Sequence, residues 1–353
     1  MKLRWGICGA GRVSSDFCHA LLTLPSDEHE LTSIASKSEE RAKEFADKFN
    51  IKHWYGSYEE LAKDYDIDII YIGTWHTSHV ALSKLMLNAG KHVLCEKPMC
   101  LNIDQVKEVF LLAEEKKKFF AEGIWSRYFP IYDKVREEIK SGSIGDVQLV
   151  TATFSFSLDS SKWRLENGDG MLLGLGLYTI QFANWIFNNE KPTSIIAVGS
   201  LRNQGVDEDG CVVLTYKRGA KASFSYSLKC KGVNPATIYG SKGCIHIPDF
   251  FWCPVETTFP SGTVKSPLTP DDPTAYNYPN SMGFRYEAKQ IRQYIMQGSC
   301  ESVIIYFAIP VFAFVMILNM KIVQVKTLAI FDRSVIISLK KGGGGLKNMD
   351  RMY

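Results

Sequence analysis

The sequence predicts a chain of two domains: an α/β domain with a doubly wound parallel sheet, then an α+β domain with an open, largely antiparallel sheet. Three observations predict it. Apolar runs alternate with helical spacings over the first 118 residues, as repeated βα units do. A glycine turn, GAGRVS at 9–14, separates the first apolar run from the first helical segment. From residue 147, β-branched and alternating segments recur. At 353 residues the chain exceeds one ordinary core, and we place its domains at 1–121 and 122–302, with an atypical tail at 303–353.

The elements follow in order. LRWGIC at 3–8 is the first strand and SDFCHALLTL at 15–24 the first helix. Between them, Gly9 permits a tight turn. Gly11 lets backbone amides approach a pyrophosphate at the helix N-terminus, with Arg12 beside it. Ser14 stands where the GxGxxG fingerprint has its third glycine, and it is small enough for helix–strand packing. A plain glycine turn has the same letters, so the context carries the argument. ELTSIAS at 30–36 is the second strand. An NAD site usually ends this strand with an acid that bonds the ribose hydroxyls. Here stand Ser36, Lys37 and Ser38, with Arg41 one turn later. Two cations and two hydroxyls suit a 2′-phosphate, which favours NADP(H) over NAD(H); ordinary surface cations would give the same pattern.

EERAKEFADKF at 39–49 is a helix, IDIIYIGT at 67–74 a buried strand, and HVALSKLMLNAG at 79–90 a helix closed by Gly90. KHVLCEKP at 91–98 is the next strand and IDQVKEVFLLAEEKKK at 103–118 the next helix. Ligands of such sheets lie at the strand C-termini. Thr74, His79, Glu96 and Lys97 fall on that edge and complete the candidate cofactor site, although His79 also reads as a helix start. Pro98 biases Lys97 to extended backbone, which directs its side chain. A nearby cationic ring and partial burial would disfavour its ammonium form, fitting it for proton transfer or for bonding a substrate hydroxyl.

In the second domain, 147–158, 194–200, 211–217, 220–228 and 241–247 read as strands. The segment 167–187, NGDGMLLGLGLYTIQFANWIF, reads as a buried helix despite its glycines, and 283–298 as a returning helix.

The net charge of +3, with no basic stripe interleaved with aromatics, excludes a nucleic-acid partner. Nine cysteines are scattered without CxxC or zinc spacing, so no metal is expected and a reducing compartment is. MKLRWGICGAGR lacks a signal-peptide core, and a cytoplasmic location is expected. The sixteen-residue apolar run at 303–318 contains Pro310 and falls short of the ~20 residues a spanning helix needs, so a membrane is disfavoured.

The GxG turn, the EKP at 96–98 and the glycine-rich helix reaching Tyr178 act in combination. With RAKEFA, YGSYEELAKD, IWSRYFP, GVDED and YEAK, the chain resembles the Gfo/Idh/MocA oxidoreductase family over about residues 3–301. That resemblance implies a Rossmann domain followed by an α+β domain, and a homodimer formed through the open sheet. It implies NADP-dependent hydride transfer from a trans-dihydrodiol or an aldose such as D-xylose. Tyr178 becomes the acid–base residue, its pKa lowered by Lys97, and Trp125, Phe154 and Tyr278 line the substrate pocket; core packing is the competing reading of each aromatic. One departure stands out. The family places an aspartate four residues before the tyrosine, and this chain has Gly174. A catalytically impaired NADP(H)-binding relative is therefore the alternative expectation.

Overall fold

The computed structural model describes residues 2–157, 170–201, 206–270 and 272–298. The apolar run at 303–318 lies outside the described residues, among which no helix is long and apolar enough to cross a membrane.

The first sheet has six parallel strands: β1 (Leu3–Cys8), β2 (His29–Ala35), β3 (His53–Tyr55), β4 (Ile69–Ile72), β5 (His92–Glu96) and β6 (Phe120–Gly123). Their spatial order is β3-β2-β1-β4-β5-β6, that of a dinucleotide-binding Rossmann sheet. Strands of such a sheet are covered on both faces, which is why β1, β4 and β5 read as almost unbroken apolar runs. Helices α1 (Arg12–Leu21), α2 (Glu39–Phe49), α3 (Tyr58–Lys63), α4 (His76–Asn88) and α5 (Ile103–Glu115) make the crossovers. Their starts are capped by sequence. Ser38, Ser57 and Asn102 accept the amides of Arg41, Glu60 and Gln105. The helix expected from His79 begins instead at His76, because Trp75 already supplies the extended residue before the first turn.

Helix α6 (Pro130–Ser141) leads into the second sheet, β7 (Val147–Ser155), β8 (Ser194–Leu201), β9 (Asp207–Thr215), β10 (Lys221–Ser227), β11 (Ala236–Gly240), β12 (Cys244–Ile247), β13 (Glu256–Phe259) and β14 (Gly262–Lys265). The order is β14-β13-β12-β11-β7-β10-β9-β8, and only β7 and β10 pair in parallel. Register places Phe154, Tyr226 and Gly210 in one row on the inner face. Helix α7 (Leu177–Ile186) covers that face and is buried at every position. The helix expected over 167–187 is not uniform. Its described part starts at Met171 and passes through a π-helical stretch, Leu172–Gly176, before α7.

Helix α8 (Phe284–Met296) returns to the first body. Phe284 meets Phe17 of α1 with ring centroids 6.1 Å apart and stacks on Trp125 at 4.4 Å. The loop ahead of α8 is tied down by Asp16, which is wholly buried on α1. Its carboxylate accepts the amides of Asn277 (2.9 Å) and Tyr278 (3.0 Å) and the Asn277 side chain (2.6 Å). Residues 261 positions apart thus share one buried acid.

Candidate active site

The glycine turn has the shape a pyrophosphate requires. Gly9 has φ +106°, and a Cβ there would meet the Thr74 methyl at 2.8 Å. Gly11 caps α1 without any side-chain bond, and no acid sits in the first turn, so its amides remain available to an anion. Ser14 is buried against Gly73, where a side chain on Gly73 would strike its hydroxyl. Arg12 is exposed at the helix start. At the end of β2, Ser36 is buried and its amide bonds Tyr55. Lys37 and Arg41 are exposed. Arg41 reaches back to the turn and donates to the Ala10 carbonyl at 3.3 Å, while Ser38 caps its amide. No carboxylate ends this strand. The residues present fit a dinucleotide.

Across the sheet edge, the loop after β5 is held from beneath. Glu96 is buried; it accepts the Tyr71 hydroxyl at 2.7 Å and the Lys97 amide at 3.2 Å. Glu122, buried at the end of β6, accepts the Met99 amide at 3.0 Å. His79 is buried, with Nδ1 2.9 Å from the Pro98 carbonyl and Nε2 3.1 Å from that of Thr74. Glu96 and His79 therefore shape the edge through the backbone. Thr74 is partly exposed beside them.

Lys97 and Tyr178 come together although 81 residues separate them. Lys97 Nζ donates to the Gly174 carbonyl at 2.7 Å and lies 5.0 Å above the Tyr178 ring. The Tyr178 hydroxyl accepts from Trp125 Nε1 at 2.8 Å. Phe154 stacks on Tyr178 at 5.6 Å with 8° between planes, and Trp252 closes the wall 4.1 Å from Phe154. Tyr278 makes no ring contact with this cluster among the described residues. It is 39% exposed on the loop tied to Asp16. The expected lowering of the Tyr178 pKa is corrected here. Burial, followed by the Glu96 carboxylate, pushes it well above the ordinary phenol value. Desolvation outweighs the cation because the phenol is buried on all sides while Lys97 is only half-buried.

Gly174 differs from the glycines around it. A Cβ at Gly176 would press on Leu172 and Tyr226, at 3.0 and 3.1 Å, whereas a Cβ at Gly174 would meet nothing within 4 Å among the described residues. The space an acidic side chain would enter is there; the side chain is not.

Several contributors went unread in the sequence. Glu122 ends a parallel strand, so the edge rule that found Glu96 also reaches it. Trp252 lies in an irregular segment after β12, and Asp16 inside a helix; neither carries a local signal. Arg127 is half-buried and donates to Gln181 at 3.2 Å; desolvation lowers it to about 10.

Residues 3–124 match the family model described as the Gfo/Idh/MocA oxidoreductase family, NAD-binding Rossmann fold, and residues 132–246 match the Gfo/Idh/MocA C-terminal domain. The chain is similar to trans-1,2-dihydrobenzene-1,2-diol dehydrogenase of Bos taurus, 41% identical over 309 residues, or 86% of this chain and 92% of the relative. The Mus musculus enzyme of that name is 40% identical over 312 residues, 87% and 92% of the two chains. In fold it is similar to a 3-ketoreductase from Actinomadura kijaniata in complex with NADP and TDP-benzene. The TM-score is 0.76 at 22% identity, covering 91% of this chain and 98% of that one. A gentamicin A biosynthesis protein in complex with NAD gives 0.75 at 18% identity, covering 92% and 95%.

Burial pushes the Glu122 carboxyl up to about 7, from 4.5 in an exposed chain. The fold thus holds the proton more tightly than the unfolded chain does. The stability this gives is full below about pH 4.5 and is lost as pH rises through 7, by up to roughly 3 kcal/mol. Glu122→Gln is expected to remove that slope in urea unfolding compared at pH 5 and 7.5. A variant that keeps the wild-type difference would assign the slope to another group.

Proposed function

We propose, from the premise that the chain belongs to the Gfo/Idh/MocA oxidoreductase family, that it is an NADP(H)-dependent dehydrogenase of a trans-dihydrodiol or an aldose such as D-xylose. One observation carries this reading: an amine from the first body and a phenol from the second meet over a 5.0 Å gap at the edge where a dinucleotide binds. When bound, the nicotinamide supplies the hydride acceptor or donor. Gly9, Gly11 and Arg12 hold its pyrophosphate side. Ser36, Lys37, Ser38 and Arg41 receive the 2′-phosphate, and Thr74 with the backbone shaped by His79 and Glu96 borders the ring.

Burial keeps the proton on Tyr178 near neutral pH. Trp125 occupies one lone pair of its oxygen, so the phenol O–H is left to point at a substrate oxygen. In the reducing direction Tyr178 donates that proton to the carbonyl oxygen; in the oxidising direction the same path runs in reverse, and the Tyr178 oxygen takes the substrate hydroxyl proton beside the Lys97 cation. Trp125, Phe154 and Trp252 offer flat apolar walls suited to a ring diol or a sugar face, and Tyr278 borders the mouth from the loop ahead of α8.

A second reading, an impaired NADP(H)-binding relative, is favoured by the open space at Gly174. An aspartate there would project beside Lys97 and orient it.

The partner we propose is a second copy, joined through the outer face of the large sheet. Ile196 and Val213 are cross-strand neighbours there, exposed at 64% and 37%, and Val198 beside them at 52%.

Three measurements test these proposals. Lys37→Ala with Arg41→Ala is expected to weaken NADPH ~10- to 100-fold and NADH less than ~3-fold; equal losses would reject the 2′-phosphate assignment. NADPH formation from NADP+ with trans-dihydrodiol or D-xylose should rise ~10- to 1000-fold in Gly174→Asp, and an unchanged rate would rule out the missing acid as the defect. Sedimentation should give a dimer for the wild type and a monomer for Val198→Lys; a monomeric wild type ends the pairing proposal.

A further inference from the structure

The helix that carries Tyr178 has its beginning fixed by another strand. Its π-helical turn, Leu172–Gly176, has no cap from its own side chains. Asp207, the first residue of β9 and 5% exposed, accepts the Leu172 amide through Oδ2 at 2.7 Å. Gly170 wraps the other oxygen so closely that a Cβ there would fall on Oδ1. The Gly174 amide then closes onto the Gly170 carbonyl at 3.0 Å, and the Gly174 carbonyl receives Lys97 Nζ. A continuous set of contacts therefore runs from Asp207 through Gly170 and Leu172 to Gly174 and Lys97, one turn before Tyr178.

Resting on the functional reading above, we propose that Asp207 is a positioning residue, whose carboxylate anchors the π-turn so that the Gly174 carbonyl holds the Lys97 amine over Tyr178. Nothing about Asp207 touches substrate; it acts through the turn. The anchor responds to pH. Burial pushes the Asp207 carboxyl up to about 6, and Asp209 on β9 pushes the same way. The Leu172 amide, Asp207's own amide and the Tyr226 hydroxyl on β10 pull the other way. Lys229 pairs with Glu208 and Asp209 at the surface beside them. A carboxylate accepts an amide more strongly than a carboxylic acid does. The anchor is therefore full above pH 6 and weakens below it.

Deuterium exchange of amides 172–178 in the full chain, corrected for intrinsic rates, tests this from pH 5 to 8. It needs no turnover, so its outcome is separate from whether the chain is an active dehydrogenase. The wild type should lose protection about tenfold on descending through pH 6, roughly one hydrogen bond's worth. Asp207→Asn keeps a neutral acceptor oxygen but cannot ionise, so it should show about the wild type's low-pH protection at every pH, with no step. Asp207→Ala and Gly170→Ala should be unprotected at every pH, with NADPH affinity within about twofold of wild type. A step that persists in Asp207→Asn, or wild-type protection in Asp207→Ala, overturns the proposal. So does a loss of NADPH binding across the set, which signals general unfolding. If Asp207→Ala fails to fold, the step in the Asn variant decides.

Discussion

Pro98 has no amide hydrogen, and the amides on either side of it are both held by carboxylates withdrawn from water. Glu96 takes the Lys97 amide and Glu122 the Met99 amide. Each acid comes from the end of a parallel strand, β5 and β6, so the sheet itself dictates where this loop leaves the edge. Removing either acid would strand a buried donor, at a cost of about 1–3 kcal/mol. The position of Lys97 rests on this pair of bonds, and through Lys97 so does its meeting with Tyr178. Glu96 serves twice, because Tyr71 donates to its other oxygen and Tyr71 stacks on Phe17 at 3.9 Å.

Buried acids recur around this point, and burial is the first cause of each shift. Glu96, Glu122 and Glu287 are all pushed up by desolvation. Glu287 is the extreme case: it is wholly buried on α8, and neither of its oxygens finds a hydrogen-bond partner among the described residues. An ionised carboxylate in that setting is unfavourable by several kcal/mol. It is therefore held as the neutral acid, with Glu96 acting on it from across the body boundary.

Much of this was legible in the sequence. Unbroken apolar runs with glycine turns are what a parallel sheet covered on both faces requires, so β1, β2, β4 and β5 could be read directly. Strand β3, with three residues, is too short to carry a period, and β6, Phe120–Gly123, interrupts its apolar residues with Glu122. The alternation in β10 was readable because one face meets water. Lys97 and Tyr178 were singled out separately, one by its place on an edge and one by resemblance. Their contact depends on tertiary geometry that no local pattern encodes. The direction of the Tyr178 shift was misread for a related reason. A sequence reveals that a cation is near, but not that the phenol is sealed from solvent. Gly170 and Gly174 look identical as letters; one is required by an acid from a distant strand, and the other faces open space.

The return of α8 to α1 means that, among the described residues, the backbone passes between the two bodies twice, once after β6 and once along the loop ahead of α8. Two covalent joints define a line. Rotation about that line changes no bond length, whereas sliding or twisting across it stretches one joint against the other. Rotation about that line is the motion the connectivity opposes least, and the Asp16 bonds beside one joint restrain it.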